Sequence, residues 1–359
     1  MTNKKQLLAI DARPLSRGTG GIQRYLDKLL TYLIADSNFE IILYSDHPIK
    51  TILKFDSKNV KTRYAEHKLG RSMAWHYLVC LWVAKDQPNI FWSPRHHLPF
   101  ILPRATKRIV TIHDFVWKTC PFTMPKLQLI SEKLLMPFAI KKATQIICIS
   151  QTTQAQLEKF YPDHVTKSSV ILHGAYKSKN SAKHSSNDEP GYFLAVGTLE
   201  PRKNYERLIN AYDQYVKNGG IKNLIIVGKF GWQYSSILSA LNNIDNHDRI
   251  KIHQSASDHE LSEHYSRACG FVSPSLDEGY GLPPQEAIHY ELPLLLSDIE
   301  VYRELYPDAS LWADPLSTND LTSGLHKLEK LPKTKSSVMN KVEHNWRDCA
   351  KQHNEVFCS

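Results

Sequence analysis

Short apolar runs alternate with helical patterns along the whole chain. Leu7-Leu8-Ala9-Ile10, Ile41-Ile42-Leu43-Tyr44, Ile109-Val110-Thr111-Ile112, Ile146-Ile147-Cys148-Ile149 and Val170-Ile171-Leu172 are unbroken or nearly so. A strand covered on both faces reads this way, so these runs predict buried parallel strands. A second series follows in Tyr192-Phe193-Leu194-Ala195-Val196, Leu224-Ile225-Ile226-Val227, Ile250-Lys251-Ile252, Gly270-Phe271-Val272 and Leu294-Leu295-Leu296. Helix candidates lie between them. In residues 204–216, for example, Leu208, Ile209, Tyr212 and Val216 share one face. Strand–helix alternation predicts right-handed βαβ crossovers and an α/β, doubly wound fold.

The two series are separated by residues 177–190, a polar run with almost no apolar side chain that ends in a proline. The expected organisation is an N-terminal domain over 1–176, a linker over 177–190 and a second domain over 191–339. Residues 340–359 form a final helix with apolar points Val342, Trp346, Ala350, Val356 and Phe357, expected to pack back on the first domain. Two such domains would form a cleft between the carboxyl ends of their sheets, where doubly wound folds bind ligands.

The chain has 359 residues, 42% hydrophobic and 23% charged, so it is globular, and its length suits two cores. Its net charge of +9 is uneven: residues 1–175 carry +13 and the remainder −4. The six cysteines (Cys80, Cys120, Cys148, Cys269, Cys349, Cys358) show no C-x-x-C spacing, which argues against a zinc knuckle or redox motif. The amino terminus has no signal-peptide pattern, and the longest apolar stretch, around 75–84, is about half a membrane span of roughly 20 residues. These features predict a reduced, cytoplasmic, soluble protein.

Four clusters at strand ends carry candidate chemistry. Asp11-Ala12-Arg13-Pro14 precedes Gly18-Thr19-Gly20-Gly21-Ile22. A glycine pair entering a helix lets backbone N–H groups approach an oxyanion, although a plain βα turn explains these residues best on their own. His113, in Ile112-His113-Asp114-Phe115, stands where a strand ends and can donate or accept a hydrogen bond near neutral pH. His96-His97 sits between prolines with no third ligand at metal spacing. In Gly197-Thr198-Leu199-Glu200-Pro201-Arg202-Lys203-Asn204, two cations stand at a helix start, where the macrodipole disfavours them. A bound diphosphate would resolve that conflict. Finally, Glu278-Gly279-Tyr280-Gly281-Leu282-Pro283-Pro284-Gln285-Glu286 holds two glutamates eight residues apart around a glycine loop. Freed loop amides suit phosphate oxygens, and Glu286 in a first helical turn can accept hydroxyl hydrogen bonds.

These motifs, in this order and over nearly the whole chain, resemble the retaining family-4 glycosyltransferases. Glu278 to Glu286 matches the E-x7-E signature, and residues 197–204 match the family's phosphate-binding segment. Asp11-Ala12-Arg13-Pro14, Gly20-Gly21-Ile22-Gln23-Arg24-Tyr25, Ile112-His113-Asp114 and Ser150-Gln151-Thr152 resemble bacterial mannosyl- and rhamnosyltransferases of surface polysaccharide. The sequence departs from the family at His289-Tyr290-Glu291-Leu292-Pro293, where a glycine is common. It departs again at Ile252-His253-Gln254, where many members have an apolar-glycine turn.

The resemblance implies the GT-B arrangement, two facing Rossmann-like domains with an acceptor-binding first half and a nucleotide-sugar-binding second half. It implies that Arg202 and Lys203 hold the donor diphosphate and that Gly279, Tyr280, Gly281 and Leu282 present amides to it. Glu278 takes sugar hydroxyls, Glu286 takes the ribose, His113 lies beside the transferred sugar, and Gly20 and Gly21 line the cleft near phosphates and acceptor. No metal or cofactor is implied beyond the nucleotide diphosphate sugar itself, with a GDP-sugar favoured. The expected reaction is hexosyl transfer, of mannose or a deoxyhexose such as rhamnose, to a lipid-linked glycan such as O-antigen, capsule or exopolysaccharide. A nucleotide-sugar epimerase of the same build and a non-enzymatic polyanion binder are the competing readings. Nucleic acid is not an expected partner, because no RNA-binding signature accompanies the basic residues.

The positive first half is also what a surface facing anionic lipid should carry. Lys50, Lys54, Lys58, Lys61, Arg63, Lys68 and Arg71 stand against only Asp56 and Glu66, and the aromatic stretch Met73 to Trp82 follows. A peripheral protein on the inner face of the cytoplasmic membrane is expected. For the aromatic stretch, a buried core helix serves as well.

Overall fold

The computed structural model describes residues 5–17, 20–35, 39–49, 59–65, 72–174, 191–333 and 345–359. The predicted linker, residues 18–19 and the lysine-rich positions 50–58 and 66–71 lie outside them, as does Val342. The strands are β1 (Gln6–Asp11), β2 (Phe39–Ser45), β3 (Val60–Tyr64), β4 (Ile90–Ser93), β5 (Lys107–Ile112), β6 (Gln145–Cys148) and β7 (Ser168–Val170). They continue as β8 (Phe193–Val196), β9 (Leu224–Val227), β10 (Ile250–His253), β11 (Gly270–Ser273), β12 (Leu294–Ser297) and β13 (Leu311–Ala313). Helices α1 (Arg13–Arg17), α2 (Gly21–Ala35), α3 (Ser72–Asp86), α4 (Val116–Thr119), α5 (Lys126–Lys142) and α6 (Gln151–Phe160) precede the second series. Helices α7 (Tyr205–Lys217), α8 (Ser235–Asn242), α9 (Asp258–Arg267), α10 (Leu282–His289), α11 (Glu300–Leu305), α12 (Thr318–Glu329) and α13 (Trp346–Cys358) complete the chain.

Two parallel sheets result, in the orders β3-β2-β1-β4-β5-β6-β7 and β10-β9-β8-β11-β12-β13. Each reverses its direction of growth once, between β1 and β4 and between β8 and β11. Such reversals open a crevice at the carboxyl ends of the two central strands. The fold is therefore α/β and doubly wound in both halves, the GT-B class expected from the resemblance.

The sheets belong to two compact units. The first comprises Met1–Phe115, Leu127–Gly174 and His344–Ser359, and the second Val116–Lys126 and Ala175–Glu343. In the first, α2 buries Tyr25, Leu26, Leu29, Leu30 and Leu33, and α13 adds Trp346, Cys349, Ala350 and Phe357 to the same core. A Cβ on Gly174 would come within 2.4 Å of the Trp346 backbone, so only glycine lets these segments touch. The Tyr25 hydroxyl meets His353 Nε2 at 2.7 Å, and His353 Nδ1 meets the Cys349 carbonyl at 2.7 Å. A single imidazole tautomer, protonated on Nδ1, satisfies both contacts. Lys107 Nζ donates to the Val356 carbonyl at 2.7 Å, placing a cation at the negative end of α13.

Each predicted strand is present, although the last of the first series lies at Ser168–Val170 and shares only Val170 with the predicted run, and the predicted helix over 204–216 is α7. Three strands escape the sequence pattern. Strand β3 is polar because it lies at a sheet edge, whereas β4 and β13 are as short as strands that the pattern did predict. The aromatic stretch ahead of Trp82 is α3, which divides its side chains: Trp75, His76, Val79 and Val83 are buried, while Tyr77 and Leu81 face outward. Trp75 packs edge-on to Trp82 at 5.8 Å and lies under the Arg13 guanidinium at 4.6 Å, so it is a core residue rather than an interfacial one.

Candidate active site

In the second unit, the two segments that follow β8 and β11 meet at the sheet reversal. After β8 the chain runs through Gly197 (φ 153°), a 3-10 turn over Pro201–Lys203, and Asn204 in the left-handed region (φ 59°) before α7 begins. The Asn204 amide donates to the carbonyls of Pro274 and Pro315 at 2.9 and 2.8 Å, tying this turn to the loop after β11. The Leu276 N–H donates to the Arg202 carbonyl at 2.9 Å and ties it again.

Glu278 is the centre of the arrangement. Its carboxylate accepts from Arg202 Nη1 at 2.7 Å, from Lys203 Nζ at 2.5 Å and from Ser275 Oγ at 2.8 Å. Burial alone would raise its pKa, but the Arg202 and Lys203 cations outweigh that and hold the carboxyl at about 2. Glu200 lies on the other side of Arg202, accepting from Nη2 at 2.9 Å. Burial outweighs its cationic neighbours, and its pKa is raised.

Arg202 and Lys203 therefore precede the helix proper, and the chain supplies carboxylates opposite both. The conflict with the macrodipole that the sequence suggested is relieved within the protein itself. Lys203 keeps donors in hand: an ammonium has three N–H groups, and Glu278 takes one. Glu278 has three of about four lone-pair directions engaged.

The glycine loop continues from Glu278. Gly281 adopts φ 85°, and a Cβ there would lie 2.5 Å from the Tyr302 ring. Its carbonyl accepts from the Tyr306 hydroxyl at 2.5 Å, while the Tyr302 hydroxyl pairs with Ser273 Oγ at 2.7 Å. Tyr302 of α11 and Tyr306 just beyond that helix thus fix the loop from behind. Tyr280 is buried, and Leu282 opens α10 with Pro283 in its first turn. Glu286, buried on α10, accepts from the Tyr265 hydroxyl at 2.8 Å. Gln285 beside it is buried, with neither amide atom hydrogen-bonded.

The remaining predicted residues belong to the first unit. His113 directly follows β5 and is buried, its Nε2 2.9 Å from the Pro94 carbonyl. Burial, then the nearby His96, push its pKa down to about 3, so the ring is neutral at physiological pH. The His113 N–H donates to His96 Nε2 at 3.0 Å, so His96 presents Nδ1–H to Glu132 at 3.4 Å. Glu132 also lies 3.1 Å from His97 Nε2. Gly20 has φ 94° with open space where a Cβ would stand, and Gly21 is the first residue of α2. Sequence reading gave no role of their own to Glu200, Ser275, Asn204, Tyr265, Tyr302 or Tyr306: the last four hold residues distant in the chain, and Glu200 and Ser275 hold near neighbours whose pairing only the folded turn shows.

The family described as glycosyl transferases group 1 matches residues 177–351. The O-antigen chain mannosyltransferase RfbU of Salmonella typhimurium is 26% identical over 365 residues, covering 96% of this chain and 97% of its own. The O-antigen chain mannosyltransferase B of Escherichia coli is 26% identical over 289 residues, or 76% of this chain and 74% of that protein. Among solved structures, sucrose-phosphate synthase from Thermosynechococcus elongatus superimposes with a TM-score of 0.77 at 16% identity, covering 98% of both chains.

Proposed function

Because this chain belongs to the group 1 glycosyl transferases, family 4 of the glycosyltransferases, we propose that it is a retaining mannosyltransferase of surface-polysaccharide assembly. It moves mannose, or a related deoxyhexose, from a nucleotide diphosphate sugar to a hydroxyl of a growing, lipid-linked glycan. The observation that carries this reading is the convergence of Arg202 and Lys203 on Glu278 at the reversal between β8 and β11. Full-length similarity to an O-antigen mannosyltransferase supports the sugar and the pathway class.

The chemistry follows from the charges. Breaking a bond between sugar and diphosphate leaves negative charge on the phosphate, and preorganised donors stabilise it as it develops. Lys203, with two N–H groups remaining, and Arg202 serve this role, held in place by a carboxylate that stays ionised at any working pH. Glu278 turns its remaining lone pair to a donor-sugar hydroxyl, and the amides of Gly279 to Leu282 face the phosphate. Glu286 takes the ribose hydroxyls. No second carboxylate at glycosidase spacing is needed as a nucleophile. The acceptor hydroxyl attacks from the face the leaving group departs, and the departing phosphate takes its proton. His113, neutral, offers the sugar a hydrogen bond rather than a charge, and Gly20-Gly21 opens α2 toward acceptor and phosphates.

The test is a panel of GDP-, UDP- and dTDP-sugars with a lipid-linked acceptor, read by product mass and anomeric configuration. The expected result is transfer from GDP-mannose or a close relative with the α configuration retained. Epimerisation without an acceptor, or an inverted product, would overturn the reading. Among the described residues no helix is long and apolar enough to cross a membrane.

A further inference from the structure

The first unit carries an apolar surface that its own core does not use. On α5, Leu127, Ile130 and Leu134 are 83%, 54% and 68% exposed. Their spacing of three and four residues places them on one face. Lys141, seven residues beyond Leu134 and also exposed, continues it. On α3, Tyr77 and Leu81 point outward one turn apart, and Phe100 and Ile101 do so on the loop after β4.

These segments are joined. Phe100 packs on His76 of α3 at 5.1 Å and on Phe138 of α5 at 5.7 Å, and the Ile101 N–H donates to Cys80 Sγ at 3.4 Å. The Phe100-Ile101 loop therefore bridges α3 and α5, the two helices that carry the other five exposed apolar side chains. Monomeric soluble proteins rarely leave such a patch uncovered.

Charge identifies what covers it. Lys85, Arg104, Lys126, Lys133, Lys141 and Lys142 belong to or adjoin the same segments. The only acidic side chains of α3 and α5 are already engaged: Asp86 with Arg63 at 2.8 Å, and Glu132 with His96 and His97. A water-soluble protein partner of ordinary mixed charge would meet no acid to pair with its own lysines. An anionic bilayer offers apolar depth and negative headgroups together.

We propose that the face formed by α3, the Phe100-Ile101 loop and α5 is the surface by which the protein docks on anionic lipid. The inference rests on the reading of the acceptor as lipid-linked, and it moves the contact away from the buried Trp75 side of α3.

Flotation of the full chain with phosphatidylglycerol-containing vesicles tests it. The parent is compared with Ile130→Gln/Leu134→Gln, and separately with Lys133→Glu/Lys141→Glu. Thermal unfolding and nucleotide-sugar hydrolysis without lipid serve as controls. The parent should float, and each double variant should lose binding by about tenfold or more at low salt with both controls unchanged. Because the second variant alters only exposed charges, it keeps the test open if the first fails to fold. Flotation of both variants equal to the parent would overturn the proposal. So would equal binding to neutral vesicles, or loss of a homodimer in light scattering while flotation persists, which would assign the face to a second copy. A parent that transfers sugar to a lipid-linked acceptor yet never floats overturns the docking face alone. A parent that transfers to no acceptor overturns the functional reading instead.

Discussion

Lys203 Nζ and Glu278 Oε1 stand 2.5 Å apart although 75 residues separate them. The contact fixes the lysine on a carboxylate that remains ionised, so its charge is in place before any donor arrives. Preorganisation of that kind lowers the barrier because nothing must reorient as charge develops. Lys203→Ala should reduce kcat/KM by about 10²-fold or more, measured with the preferred nucleotide sugar. The same variant with near-normal transfer would remove Lys203 from the mechanism.

Acid should expose the cost of breaking this cluster. The Glu278 carboxyl is held at about 2 in the folded protein, below its ordinary value near 4.5. A group depressed on folding contributes stability above its unfolded pKa and loses it as pH falls toward the folded one. The window is therefore roughly pH 4.5 down to 2, and the contribution is on the order of 3 kcal/mol. Glu200, whose pKa is raised, works in the opposite direction. The measurement is thus differential: thermal midpoints of the parent and of Glu278→Gln across pH 2–6. The parent should fall more steeply, and parallel curves would contradict the assignment.

Gly281 cannot accept a side chain cheaply. Its φ of 85° disfavours any L-residue, and a Cβ would press on the Tyr302 ring, which cannot retreat while its hydroxyl is bonded to Ser273. Gly281→Ala should cost about 1–3 kcal/mol of stability and loosen the loop. Urea unfolding reads the first effect and donor titration the second. Gly20→Ala, with open space around it, should show the smaller loss of a left-handed position alone.

The departure from the family glycine at Glu291 has a measurable consequence. Helix α10 ends in a Schellman motif: the Leu292 N–H donates to Ala287 at 3.1 Å and the Glu291 N–H to Ile288 at 3.0 Å. Glu291 takes φ 59°, the conformation glycine favours. The backbone shape is kept and the strain is borne by a glutamate. Glu291→Gly should stabilise the protein by about 1 kcal/mol, visible as a higher urea midpoint at unchanged slope. A lower midpoint would show that the Glu291 side chain holds something in place.

Much of the fold was legible because buried parallel strands write themselves as local apolar runs. Leu224-Ile225-Ile226-Val227 can hardly be anything else. Strand β3, Val60–Tyr64, was not legible, since an edge strand reads as polar and carries Lys61 and Arg63. At the candidate site, Glu278 and Glu286 stood out because strand, glycine loop and helix are contiguous there. The pairing of Arg202 and Lys203 with Glu278 was invisible for the opposite reason. It depends on β8 and β11 being neighbours, and adjacency of strands not consecutive in sequence leaves no trace in local pattern. The two faces of α3 were equally hidden, because apolar residues surround that helix and only its neighbours decide which side is covered.

The docking of α13 on α2 also sets an order of events during synthesis. The first unit's sheet is complete at β7, yet its core lacks Trp346, Cys349, Ala350 and Phe357 until roughly 180 further residues have been made. At translation rates of about 5–20 residues per second, that is an interval of about 10–40 s. Throughout it, Tyr25 has no His353 to bond and Gly174 no indole to rest on. Until α13 arrives, the apolar face of α2 that it covers stays open, exposed surface of the kind that makes a nascent domain prone to aggregation.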